Sequence, residues 1–193
     1  MSRKHTSLGL AKRVRTRECD RTITLLVADE SRMGCQLMAS AFKESPYHIR
    51  VTSLAVESTE VLRGVQEGQP DIVVMRAGLK DGPAMGLKTA RKLRVSGSKT
   101  KTIILIDANV CASVIEAFRA GASGIFCREE PFETLCECID AVQRGQIWIS
   151  TDQLRYVVDY LVETSPASAP SSRGSNLLTK REESVVEQST RGN

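Results

Sequence analysis

The run Pro70-Asp71-Ile72-Val73-Val74-Met75-Arg76 constrains this chain more than any other stretch. Its apolar residues follow one another without alternation. A strand with one solvated face would alternate; an unbroken apolar strand is buried on both faces, as in the centre of a parallel sheet covered by helices. The run stops at a charged residue, Arg76, followed by Ala77 and Gly78. In open α/β sheets the functional crevice lies beyond the carboxyl ends of the strands, so Arg76 stands where chemistry is expected. A guanidinium is permanently charged and offers no lone pair, so it cannot act there as nucleophile, general base or metal ligand.

The flanking chain repeats the same unit. Residues 23–28 form a first apolar strand ending at Asp29-Glu30, and Ser31 caps a helix whose apolar positions are Met33, Leu37, Met38 and Ala41. A second strand over 49–54 precedes a helix with Val61, Leu62 and Val65, closed by Gly68 and Pro70. After the central strand come a helix near 83–95 and a fourth strand over 102–106. Val110, Val114, Ala117 and Phe118 make the stripe of the next helix, which stops at Gly121. A fifth strand spans 123–127, and Pro131 opens a helix with Leu135, Ile139 and Val142 inward, ending at Gly145. Five βα units with short connections call for a doubly wound parallel sheet with helices on both faces. The expected architecture is α/β and flavodoxin-like (CheY-like), strand order 2-1-3-4-5, over residues 22–150.

Beyond Ser150 the chain continues. Leu154, Val157, Val158 and Leu161 mark an extra amphipathic C-terminal helix over 151–163, an interface candidate because such a stripe must be covered by its own domain, a second copy or another protein. Residues 164–176 have the Ser, Ala and Pro composition of a linker, and Thr179-Lys180-Arg181-Glu182 is a capping box within a final segment, 177–193.

Composition narrows the function. Six cysteines include no CxxC pair, and the only histidines are His5 and His48, so no zinc site assembles. Cys111 and Cys127 lie in apolar contexts and read as buried, reduced thiols of a cytoplasmic protein. No apolar run reaches membrane-spanning length, so no membrane partner is expected. The net charge of +4 is uneven: residues 1–22 hold seven basic and two acidic side chains, net +5, leaving −1 for the rest. The basic segment 1–21 reads as a solvated, disordered leader or a misassigned start, with an arm touching nucleic acid or an anionic surface as the alternative.

Ala117-Phe118-Arg119-Ala120-Gly121-Ala122-Ser123-Gly124, residues 141–150 and residues 86–94 resemble, in order and near spacing, the receiver domain of bacterial response regulators of the LuxR/NarL type. The resemblance implies an acidic pair that binds magnesium after the first strand and a phosphate-accepting Asp ending the third. It further implies a Thr or Ser ending the fourth strand and a Lys ending the fifth. The acidic pair falls on Asp29 and Glu30, which match. The acceptor falls on Arg76, the hydroxyl on Ile106 with Asp107 beside it, and the lysine on Arg128. The aromatic of the fifth strand falls on Ile125, with Phe126 one place on and facing the other side. The loop after Arg76 is two residues longer than the family's.

Phosphoryl transfer needs an acceptor carboxylate, a metal screening the phosphate, and donors for the product oxygens. Arg76, Ile106 and Arg128 therefore predict a degenerate phosphoacceptor site and no cofactor. Mg²⁺ is not expected, and Asp29 and Glu30 are its ligands if any metal binds. Arg76 either pairs internally with Asp29 and Glu30, replacing the metal, or turns to solvent; the ion pair is preferred because two adjacent carboxylates repel. The function expected is a non-enzymatic, phosphorylation-independent receiver acting through protein contacts, including a homodimer. The first rival is a DNA-binding regulator: residues 177–186 resemble the first helix of a LuxR-type helix-turn-helix, read here as truncated before its recognition helix. An enzyme on the same scaffold is the second rival, but no GxGxxG, GxSxG or HExxH motif occurs.

Overall fold

The computed structural model describes residues 22–164. Five strands, β1 (Ile23–Ala28), β2 (Ile49–Ala55), β3 (Ile72–Arg76), β4 (Lys101–Ile106) and β5 (Gly124–Cys127), alternate with helices. The helices are α1 (Arg32–Glu44), α2 (Ser58–Gly68), α3 (Met85–Val95), α4 (Cys111–Ala120), α5 (Phe132–Gln143) and α6 (Thr151–Thr164). The strands pair in parallel in the order β2-β1-β3-β4-β5, the expected flavodoxin-like topology. Ala28 lies opposite Met75, and Arg76 opposite Leu105, so the carboxyl ends of the three central strands open onto one edge. The readings of the leader, linker and helix-turn-helix segment fall outside the described residues, Thr164 apart.

Period-2 alternation sorts the strand side chains into two apolar layers. Leu26, Ala28, Val73, Met75, Ile104, Ile106 and Ile125 pack with Val61, Val65, Leu93, Val114 and Ala117 of α2, α3 and α4. Leu25, Val27, Ile72, Val74, Ile103, Leu105 and Phe126 pack on the opposite side with Phe42 of α1 and Leu135, Ile139 and Val142 of α5. Ile125 and Phe126 thus face opposite layers. The outer edge of β5 is covered by the segment after α5: Ile125 N–H donates to the Trp148 carbonyl at 2.9 Å, and Trp148 N–H to Ser123 at 3.1 Å. Lys101 Nζ closes the far end of α5 by donating to the carbonyls of Val142 (2.8 Å) and Gln143 (2.7 Å).

Several helix faces depart from the sequence reading. In α1 the inward positions are Cys35 and Phe42, whereas Met33 and Leu37 are 69% and 64% exposed. Two overlapping apolar stripes exist there, and the one carrying the bulky Phe42 wins because it displaces more water. In α4 Val114, Ala117 and Ala120 are buried, while Phe118 lies on the flank and Val110 precedes the helix, exposed. Cys111, expected to be buried, is exposed as the first residue of α4; Cys127 is buried as expected. Burial pushes the Cys136 thiol up to about 11, the negative field of Glu133 adding to it and a Ser45 hydrogen bond opposing it.

Helix α6 begins in a reciprocal cap: Gln153 N–H donates to Ser150 Oγ (3.2 Å) and Ser150 N–H to Gln153 Oε1 (3.0 Å). Of its stripe, Val157 is buried, but Leu154, Val158 and Leu161 are each about half exposed. The chain divides into two compact units at Val158/Asp159, within this helix. Among the described residues no helix is long and apolar enough to cross a membrane.

The segment after Arg76 is a tied loop. Leu79 and Gly82 exchange backbone hydrogen bonds of 3.0 and 2.9 Å, Lys80 N–H donates to Val56, and Ser58 Oγ donates to Asp81 at 2.5 Å. The loop is thereby fastened to the start of α2. Helix α3 then crosses directly over the end of β3, where a Cβ at Gly86 would overlap the Arg76 carbonyl oxygen. Gly86→Ala is expected to lower the unfolding free energy by about 3 kcal/mol in urea titrations. Gly68→Ala, with open space around it, should raise that energy by about 0.5 kcal/mol.

Candidate functional site

The residues singled out at the strand ends converge at the carboxyl edge. Arg76, the last residue of β3, keeps its side chain only 16% exposed and bridges two carboxylates. One guanidinium nitrogen pairs with Glu30 and the other donates to Asp107 Oδ2 at 2.6 Å. Arg128, just past β5, donates to the second oxygen of Asp107 at 3.0 Å. Glu30, Arg76, Asp107 and Arg128 therefore form a line of alternating charge across the ends of β1, β3, β4 and β5.

Asp29 is not part of that line, which corrects the expectation that Arg76 would pair with both members of the acidic pair. Asp29 is buried, and its Oδ1 accepts from Ser31 N–H (3.0 Å) and Ser31 Oγ (3.2 Å). Ser31 in turn accepts from Gly34 N–H at 3.0 Å, as the expected cap of α1. The carboxylate is held against the first turn of α1, so the guanidinium reaches Glu30 and Asp107 instead. Oδ2 of Asp29 is buried without a hydrogen-bond partner among the described residues. Sequence reasoning placed Asp107 in the cluster but missed its central position between two arginines; its location one residue beyond β4 was the available signal.

Beside this line is a cleft of about 370 Å³, lined by Glu30, Arg76, Leu87, Ile106 and Asp107 and by Ser113 and Glu116 of α4. Ile106 presents a buried aliphatic side chain there. Ser113 and Glu116 were not anticipated; their three-residue spacing on α4 turns both toward one wall. The residues present do not fit a magnesium ion bound as the resemblance implies. A cation stands at the position of the acceptor carboxylate, and Glu30 is already engaged by it. Among the described residues no group of three or more His, Cys, Asp or Glu side chains gathers to hold a metal.

With this fold and edge, the chain belongs to the response regulator receiver domain family, whose model matches residues 25–140. It is 26% identical over 139 residues to the oxygen regulatory protein NreC of Staphylococcus carnosus, covering 72% of this chain and 64% of that protein. It is 24% identical over 134 residues to the nitrate/nitrite response regulator protein homolog of Haemophilus influenzae, covering 69% of this chain and 60% of that protein. The chain thus spans less than two thirds of the length of these relatives. Among solved structures, a LuxR-family two-component response regulator from an Aurantimonas species matches with a TM-score of 0.65 and 25% identity, over 74% of this chain and 99% of that one. The isolated receiver of RcsB from Salmonella enterica, solved with the phosphomimetic BeF3−, shares the fold at a TM-score of 0.60 and 13% identity, over 70% of this chain and 99% of that one.

The electrostatics follow from the pairing. Burial disfavours the charged form of Arg76, but hydrogen bonds to Asp107 and Glu30 and their negative field outweigh it and raise its pKa. The hydrogen bond from Arg76 is the largest cause holding Asp107 below the usual carboxylate range; burial opposes it, and Arg128 adds to it. A carboxylate whose folded pKa is depressed contributes stability above its unfolded pKa and loses it as pH falls through the folded value. The contribution of Asp107 is therefore expected to be complete above about pH 4 and to fade below it. Asp107→Asn should flatten the acid limb of the stability profile below about pH 4. At neutral pH the loss should stay within about 1 kcal/mol because Asp107 is largely exposed and solvent screens its pairs. An unchanged acid limb would show that Asp107 is not held this way.

Proposed function

We propose that this receiver works without phosphorylation: an internal cation, Arg76, holds the acidic edge in one state, and the domain acts through protein contacts in transcription regulation in the cytoplasm. The observation that carries the reading is Arg76 bridging Glu30 and Asp107 at the end of β3. In the resemblance this is the acceptor position, and a guanidinium cannot form an acyl phosphate. Ile106 offers no hydroxyl to a phosphoryl oxygen, and Arg128 replaces a compact ammonium by a planar fork already engaged by Asp107. Magnesium has no part in this reading, because the positive charge it would bring is supplied by the chain itself. The reading is non-enzymatic, since no step of phosphoryl transfer has its acceptor here.

The surface offered to a partner is the outer stripe of α6, where Leu154, Val158 and Leu161 remain half exposed. A second reading, a DNA-binding regulator, is favoured by the similarity to LuxR-family regulators and by residues 177–186. An in-frame continuation beyond Asn193 encoding two further helices would support it.

The test is incubation of the purified protein with a small phosphodonor and Mg²⁺, followed by detection of hydroxylamine-labile phosphate. None is expected. Stable labelling, with Asp107 or Asp81 the first residues to map, would overturn the proposal. Arg76→Asp should restore at most weak labelling, because Ile106 still lacks the hydroxyl; labelling of that variant at the level of an active receiver would show that the fourth-strand position is unimportant here.

A further inference from the structure

Helix α3 and the turn after it carry Lys88, Arg91, Lys92, Arg94 and Lys99, with no acidic residue between Gly82 and Ile106, and all five are exposed. Arg94 lies over Gly121 at the end of α4, which gives it a structural role. Lys88, Arg91, Lys92 and Lys99 make no ion pair among the described residues. Across the sheet, α5 presents exposed Glu133 and Glu137, with Glu129 and Glu130 at its entry. These four carboxylates also lack an ion pair among the described residues, whereas Asp140 is paired with Arg144 at 2.9 Å.

Like charges three and four residues apart weaken a helix by a few tenths of a kcal/mol each. Both ridges carry that penalty, and the domain cannot relieve it internally. Ala90 and Leu93 bury α3 in one apolar layer and Leu135 and Ile139 bury α5 in the other, so the sheet separates the ridges. Within the helices the basic ridge runs from Lys88 to Arg94 and the acidic ridge from Glu133 to Glu137, with Lys99 after α3 and Glu129 and Glu130 before α5. We propose that the basic ridge of α3 docks on the acidic ridge of α5 of a second copy of this chain. The contact is heterologous: each added copy leaves one ridge of each sign open, so the assembly grows with concentration. Nucleic acid is the less favoured occupant of α3. Residues 22–164 hold 16 basic and 18 acidic residues, net −2, so a polyanion would be repelled by the rest of the domain and would leave the acidic ridge unmet. Val95 and Ile147, 82% and 78% exposed near the ends of α3 and α5, add apolar surface to each side.

Sedimentation velocity on the full chain tests this. Salt shortens the Debye length from roughly 10 Å at about 0.1 M to roughly 3 Å at about 1 M. The average mass should rise above the 21.2 kDa of one chain with concentration at the lower salt, and return to it at the higher. Lys88→Glu/Arg91→Glu/Lys92→Glu and Glu133→Lys/Glu137→Lys should each associate at least ten-fold more weakly. Their mixture should recover association, because each then offers the other a complementary ridge. The neutral Lys88→Gln/Arg91→Gln/Lys92→Gln should also lose association if the reversed variants prove unfolded by circular dichroism. A wild-type monomer at low salt, charge variants that associate like the wild type, or a mixture of folded variants that stays monomeric would each overturn the proposal. So would association that survives about 1 M salt and is lost in Val158→Asp, which would assign it to α6. Binding of a DNA duplex through α3 without self-association would overturn it as well.

Discussion

The arrangement of this edge depends on one constraint: a partly buried cation at a strand end is matched by negative charge. Arg76 ends a strand that is otherwise wholly apolar, and its side chain remains mostly shielded from water. Shielding part of a charge from water has a cost, which pairing and hydrogen bonds offset. Glu30 and Asp107 supply that match from the ends of β1 and β4, and Arg128 completes it from beyond β5. Four separate βα junctions are thus tied by one line of charge.

The rest of the domain sets up this match through backbone geometry. The register that puts Arg76 opposite Leu105 delivers the Asp107 carboxylate within reach. Gly86 lets α3 cross the end of β3, and the tied Leu79–Gly82 loop anchors that crossing to α2. The cap at Ser31 takes Asp29 out of competition, so the guanidinium has a defined pair of partners. On the proposed reading, this fixes the state that a phosphoryl group and metal would set in a responsive receiver.

The fold was legible because five apolar runs, each followed by a helical stripe and a glycine or proline stop, leave few ways to bury so much aliphatic surface. The site was legible in outline, since residues just past strand ends must share an edge; Glu30, Arg76, Asp107 and Arg128 meet there. The pairing was not. Whether Arg76 meets Asp29 depends on a serine hydroxyl two residues on, a local competition that spacing does not encode. Helix faces failed where two stripes overlap: Met33 and Leu37 resemble the inward positions of α1 as closely as Cys35 and Phe42 do, and only packing against the sheet decides. Cys111 was misplaced because apolar neighbours in sequence say little about a residue at a helix start. Gln153, buried in the cap of α6, was overlooked because a glutamine among polar residues looks solvated.

On the proposed reading, Arg76 already occupies the position that sets the state of the domain. The most direct measurement is a two-dimensional amide NMR titration of the purified protein with Mg²⁺ and the phosphomimetic BeF3−. The amides of Glu30, Ala77, Asp107 and Arg128 are expected not to move in the wild type at any phosphomimetic concentration that shifts the same amides in Arg76→Asp. Saturable movement of those amides in the wild type would contradict it, by showing that the edge still accepts a phosphoryl-like group with the arginine in place.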